Sequence, residues 1–194
     1  MGNSILEMIM GQLGGDQLKK LGQQAGTDEN QAKQGLSAAV PLLLGAMERN
    51  AGDGDGAESL KGALERDHDG SILDNVGGFL DAPEQGKGAG ILKHVLGDKR
   101  TGVEEKLAEK TGLDSGPMAK LLEMAAPLVM GALGRRQREA GVGMEQLSQF
   151  LGGQREESES SAGMLGMVSG LLDSDKDGDV MDDIAGLAGK LFGK

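Results

Sequence analysis

The sequence predicts an all-α, multi-helical protein made of two related helical halves, an internal duplication, with a tethered C-terminal helical hairpin. Three observations carry this reading. Apolar residues recur at three and four positions along most of the chain, the spacing of one helix face. No run alternates apolar and polar residues as a half-buried strand would. The chain also says one thing twice: Ile5-Leu6 returns as Ile91-Leu92, Gly26-x-Asp28 as Gly112-x-Asp114, Ala39-x-Pro41-Leu42 as Ala125-x-Pro127-Leu128, and Gly45-Ala46 as Gly131-Ala132, each at an offset of 86 (127 − 41) with no gap.

The elements follow in order. Ile5, Leu6, Ile9, Met10 and Leu13 mark the face of a first helix, ended by Gly14-Gly15, with Asp16 able to cap the next. Leu18, Leu21 and Ala25 give a second, shorter face. Gly26 stands where a left-handed C-terminal residue is wanted, and Asp28 where an N-cap is wanted. Leu36, Ala39, Val40, Leu43 and Leu44 follow, with Pro41 among them. Proline lacks an amide donor and crowds the preceding turn. Either a new helix starts near Ser37 or one helix bends, and Pro127 repeats the arrangement. Asn50–Glu58, with Asp53-Gly-Asp55-Gly, reads as a loop, as does Asp81–Gly90 with Pro83 and its glycines.

A second repetition lies on the first. Asp67-His-Asp69-Gly70-Ser-Ile72-Leu-Asp74-Asn-Val76 returns as Asp175-Lys-Asp177-Gly178-Asp-Val180-Met-Asp182-Asp-Ile184, at an offset of 108 (178 − 70). Each half therefore reads as helices, a Pro-bent apolar helix, and an Asp-Gly box entering a final helix. The polar, acidic stretch around Glu156-Glu-Ser-Glu-Ser-Ser has the composition of a disordered tether. The expected organisation is a first helical repeat with its box over residues 1–86, a second repeat over 87–151, an acidic linker over 152–163, and a C-terminal helix-loop-helix over 164–194.

These residues carry a family resemblance. Asp69-Gly-Ser-Ile-Leu-Asp74, Gly90-Ile-Leu-Lys-His94-Val-Leu-Gly97, Leu121-Leu-x-Met-Ala-Ala-Pro127-Leu-Val-Met-Gly131-Ala-Leu133 and the tail Asp177-Gly-Asp-Val-Met-Asp-Asp-Ile-Ala-Gly-Leu187 resemble the YidB-like bacterial proteins of domain-of-unknown-function family 937. The resemblance spans most of the chain. It implies an all-helical fold and carries no established activity, so it transfers no catalytic residue.

Composition narrows the function classes. A net charge of −11 argues against nucleic acid, which rewards clustered Lys and Arg. The one dense basic patch, Arg135, Arg136 and Arg138, reads as a helix C-terminus, where cations offset the macrodipole. With no cysteine there is no disulfide or zinc–thiolate site, which suits a reducing compartment. The apolar runs Ala38–Met47 and Met124–Leu133 are far shorter than the roughly 20 residues of a membrane span. No targeting segment is recognisable: Met1-Gly-Asn-Ser-Ile-Leu opens like a myristoylation signal, but Leu6 stands where Ser or Thr is wanted. A cytoplasmic protein is the expectation. Aromatic residues are limited to Phe79, Phe150 and Phe192, so the core must be aliphatic and Met-rich.

The sharpest chemical candidate is the C-terminal box. Calcium takes six to eight oxygen ligands, and a calcium-binding helix-loop-helix supplies them from loop positions 1, 3, 5, 7 and 12, with Gly at 6. Asp173, Asp175 and Asp177 fill 1, 3 and 5, Gly178 falls at 6, and Asp179 serves 7 through its carbonyl. Position 12 is Ile184, so Asp182 or Asp183 must close a shortened loop. The competing reading is an Asp-Gly turn leading into a helix whose acidic first turn suits the dipole. The first box, with Glu65, Asp67, Asp69 and Asp74, is a weaker copy. His68 beside Asp67 and Asp69 reads as a solvated loop ahead of a transition-metal ligand. His94, at the repeat position of Met8, reads as a helix boundary residue.

No catalytic set is visible. There is no Cys nucleophile, and neither histidine has Ser and Asp arranged around it. The glycines of Gly86-Lys-Gly-Ala-Gly90 lack the preceding strand that a phosphate loop needs. The expected function is that of a non-enzymatic interaction or scaffold protein with an unidentified protein partner, its Met-rich helices Leu6–Leu13 and Met118–Met130 offering an adaptable apolar groove. A calcium-responsive module is the alternative. An enzyme built on His94 or the acidic boxes is a third.

Overall fold

A computed structural model describes residues 5–52, 54–83 and 87–140. The acidic linker, the C-terminal hairpin and the box Asp173–Asp183 lie outside these residues. The described residues are helical, with no strand among them. The helices are α1 (Ile5–Gln12), α2 (Gly15–Ala25), α3 (Glu29–Ala51), α4 (Gly54–Arg66), α5 (Val76–Asp81), α6 (Gly88–Leu96), α7 (Arg100–Thr111) and α8 (Ser115–Ala140). Short 3-10 turns, Ser71–Asn75 and Gly97–Lys99, precede α5 and α7.

Helix α8 is the axis of the fold. Residues Met124 to Gly134 are buried without a break, so its middle is enclosed on all sides, as an all-round apolar helix must be. It packs against α1, α2, α3, α4, α6, α7 and the Ser71–Asn75 turn. Helix α3 lies against it, with Leu36, Ala39, Val40 and Leu43 fully buried. Met118, Met124 and Met130 are core residues, so the expected groove over Met118–Met130 is corrected: that stretch faces the interior.

The local signals act as their chemistry dictates. Gly26 and Gly112 end α2 and α7 at φ 85° and 67°, a region where a side chain is strained. Asp28 caps α3: its carboxylate accepts the Gln31 amide at 2.9 Å while the Gln31 side chain returns to the Asp28 amide, a reciprocal capping box. Asp16 does not cap α2, because the N-cap is Gly14 and Asp16 sits within the first turn. Pro41 and Pro127 both lie inside continuous helices, so no new helix starts near Ser37. Glu29 and Ser115, the first residues of α3 and α8, are also 86 apart.

Of the two segments read as loops, Asn50–Glu58 is largely helical where it is described, and Asp81–Gly90 is helical only at its two ends. Helix α3 runs through Asn50 to Ala51, and α4 begins at Gly54. The cause is Gly56: a Cβ there would lie 1.8 Å from the Asn50 carbonyl oxygen, so glycine lets α4 fold tightly against the end of α3. Asn50 also donates from Nδ2 to the Val95 carbonyl at 3.0 Å, tying this corner to α6. Gly88 and Gly90 belong to α6. A Cβ on Gly88 would lie 1.8 Å from the Glu123 carbonyl oxygen. Glu123 is four residues before Pro127, which has no amide to offer it. The bare Gly88 backbone covers a carbonyl that proline leaves without its helical donor, and Arg100 holds the Glu123 carboxylate at 2.5 Å and that of Glu104 at 2.6 Å.

Gly88→Ala should therefore destabilise the fold by about 1–3 kcal/mol, the cost of overpacking a close contact. Thermal unfolding followed by circular dichroism checks this. An unchanged midpoint would mean that α6 does not press on α8. Asp28→Ala should cost about 1 kcal/mol through the lost cap in the same assay.

Candidate functional site

A group of polar side chains converges where the first Asp-Gly box meets α8. Gly70 takes φ 89°, which turns the chain sharply out of α4 and into the Ser71–Asn75 turn. The turn rests on a strip of α8 free of side chains. A Cβ on Gly134 would lie 1.8 Å from the His68 carbonyl oxygen, and one on Gly131 would lie 2.4 Å from Ile72 Cγ2. Leu73, Val76 and Leu80 then enter the core.

The basic patch fastens this contact. Arg135 donates from Nη2 to the Gly70 carbonyl at 2.8 Å and to Asp74 Oδ1 at 2.5 Å. Arg138 donates to the Asp69 carbonyl and lies 3.7 Å from the Asp69 carboxylate. The expectation that these arginines only answer a helix dipole is corrected: two of them hold the box. Asp69 also accepts the Ser71 amide at 3.0 Å. Hydrogen bonds from the Ser71 side chain and then its amide, together with the charge of Arg138, hold the Asp69 carboxyl below its ordinary value. Asp67 lies 3.5 Å from Lys87 Nζ.

This distribution favours, for the first box, the reading of an Asp-Gly turn entering a helix over that of a calcium site. Asp67, Asp69 and Asp74 each have a separate cation, and no group of three acidic or histidine side chains among the described residues could hold a metal ion. A carboxylate engaged by a guanidinium is a poor calcium ligand until the pair is broken. The second box, Asp173, Asp175, Asp177, Asp179, Asp182 and Asp183, lies outside the described residues.

Beside the box is a cleft of about 230 Å³, bounded by Asp67–Ile72 together with Lys87 and Pro127. His68 is half-buried in it, and burial pushes its imidazole below the ordinary value of 6.5; Asp67 pulls it up, while Lys87 pushes it further down. Lys87 was not singled out by sequence. It is the only non-glycine among the described residues at positive φ (55°), and it forms the N-cap of α6. His94 is exposed on the last turn of α6, outside the cleft, and its backbone carbonyl faces Asn50 Nδ2 at 3.4 Å. The structure thus brings His68, Asp67 and Asp69 together and leaves His94 apart.

The family described as bacterial protein of unknown function (DUF937) matches residues 7–136. The chain belongs to this family. The match covers α2 to α7 entirely, α1 from Glu7 onward, and α8 through Arg136, so it takes in the first Asp-Gly box and, of its seat on α8, Gly131, Gly134 and Arg135. No curated protein and no solved structure matches. Membership in DUF937 establishes kinship and no activity.

The folded pKa of His68 lies below the unfolded value, so between the two the unfolded chain binds more protons. Stability must then rise with pH through that window and fall as pH drops through the folded pKa. An NMR titration should place the His68 midpoint below 6.5, and His68→Gln should flatten the stability profile from about pH 7 to 5. A midpoint above 6.5 would contradict the burial. Gly134→Ala should push the box off α8 and cost about 1–3 kcal/mol, seen as a lowered urea midpoint.

Proposed function

We propose that this DUF937 protein is a non-enzymatic interaction module that binds a helical segment of a partner protein. The observation that carries the reading is the half-exposed apolar edge of α1 formed by Leu6 and Met10, one turn apart on one flank of the buried line of Ile5, Ile9 and Leu13, with Met8 on the opposite flank. Unbranched Met side chains adapt to an incoming apolar face, and a helix laid along such an edge is a common recognition mode. The acidic box supports the same reading, because its carboxylates are engaged in holding the fold together. The two halves are read as copies of one unit, with α8 the central copy. Among the described residues no helix is long and apolar enough to cross a membrane. A cysteine-free sequence suits a reducing compartment, and the cytoplasm is the proposed location.

Leu6→Asp combined with Met10→Asp tests this reading. The double variant should keep the helical content of the parent and lose, by about tenfold or more, the capture of any bacterial protein retained by the parent chain. A parent that retains no specific protein, or a variant that captures it equally, removes the proposal.

A second reading rests on the ligand order in the C-terminal box: calcium held by Asp173, Asp175, Asp177 and the Asp179 carbonyl, with Asp182 or Asp183 closing the loop. Calorimetric titration of the full chain with calcium should then give one saturable event, lost in Asp175→Asn/Asp177→Asn. No heat at millimolar calcium removes this reading.

A further inference from the structure

The seat of the first box on α8 has a counterpart on α3. Moving 86 residues back from Pro127, Gly131 and Arg135 gives Pro41, Gly45 and Arg49. On α8 the proline and glycine are buried beneath the box, and Arg135 is half-buried within it. On α3, Pro41 and Gly45 are half-exposed, Arg49 is exposed, and Arg49 forms no ion pair among the described residues. The chain holds one further Asp-Gly box, and it repeats the residues that make the contact: Gly178 for Gly70, Val180 for Ile72 and Asp182 for Asp74.

We propose that the C-terminal box, residues 177–182 of the same chain, docks on this face of α3. Val180 then fills the place over Gly45 that Ile72 fills over Gly131. Arg49 takes the Gly178 carbonyl and the Asp182 carboxylate as Arg135 takes Gly70 and Asp74. The charges agree: an exposed guanidinium meets an acidic segment. The differences agree as well. Glu48 replaces Gly134, so the backbone at 176 cannot approach as closely as His68 does, but Lys176 replaces His68 and gives Glu48 a cation. Gly52 replaces Arg138, so the second seat lacks one of the two arginines of the first. The second docking is therefore the weaker.

Reach is not limiting. From Ala140 to Lys176 the chain has 36 residues (176 − 140). A flexible chain of that length spans about 30–36 Å on average, comparable to the roughly 39 Å length of α8 itself. The occupant is assigned to the same chain, since α8, after which the segment follows in sequence, packs against α3, and the covalent link keeps the box at high local concentration.

The test is hydrogen exchange of the full-length protein, read at residues 177–184, in four forms: parent, Arg49→Glu, Asp182→Arg and the double charge swap. The parent should protect this segment. Each single variant should speed its exchange by about tenfold, and the double swap should restore most of the protection, while exchange in α8 stays unchanged in all four. Three results would overturn the proposal: a segment unprotected in the parent, protection equal in all four forms, or protection that disappears on dilution and so belongs to a second copy.

Discussion

The close approach of main chain to α8 is the constraint on which the rest depends. An ordinary helix keeps its neighbours roughly 8–10 Å away because side chains stand between them. Here glycine removes the side chain at three contacts: Gly88 against the Glu123 carbonyl, Gly134 against the His68 carbonyl, and Gly131 against Ile72. Helix α6 and the Asp-Gly turn both come onto α8 at backbone distance, and Pro127 lies between them with its own freed carbonyl partner. Among the described residues the buried core around this axis is aliphatic, with Phe79 only partly buried against it, so its definition comes from these tight approaches rather than from large aromatic side chains.

Electrostatics then fixes what packing brings together. The chain carries a net charge of −11, yet the acids nearest α8 are matched to cations: Asp74 to Arg135, Asp69 to Arg138, Asp67 to Lys87, Glu123 and Glu104 to Arg100. Exposed pairs of this kind contribute little stability one at a time. Their effect is geometric. Arg135 spans a carbonyl and a carboxylate of the same turn, which sets both the position and the direction of the box. An Asp-rich motif that suggests a cation site in sequence is, at Asp67–Asp74, a fastening.

Much of this was legible beforehand. The apolar faces of α1, α2 and α3, the αL glycines at 26 and 112, and the Asp28 cap all express local rules, and local rules survive folding. What escaped depends on contacts distant in sequence. Asn50–Glu58 looked like a loop because Gly and Asp are poor helix formers, but Gly56 is selected for its approach to Asn50. Gly88 looked like loop composition for the same reason. The arginines at the end of α8 matched a dipole argument that needs no partner, and their partner lies more than sixty residues away in sequence. Lys87 at positive φ has no sequence signal. The methionines of α8 could not be assigned to surface or core by periodicity, since a helix apolar on all sides has no preferred face. The C-terminal box lies outside the described residues, and its role rests on its likeness to the first.

The central claim is that the first Asp-Gly box is held by α8 through Arg135 and needs no metal. It is tested most directly by amide hydrogen exchange at Ser71–Val76 in the parent chain and in Arg135→Ala, each with and without millimolar calcium. The account predicts slow exchange in the parent, unchanged by calcium, and faster exchange in Arg135→Ala that calcium does not restore. Calcium-dependent protection, or protection indifferent to Arg135, would contradict it.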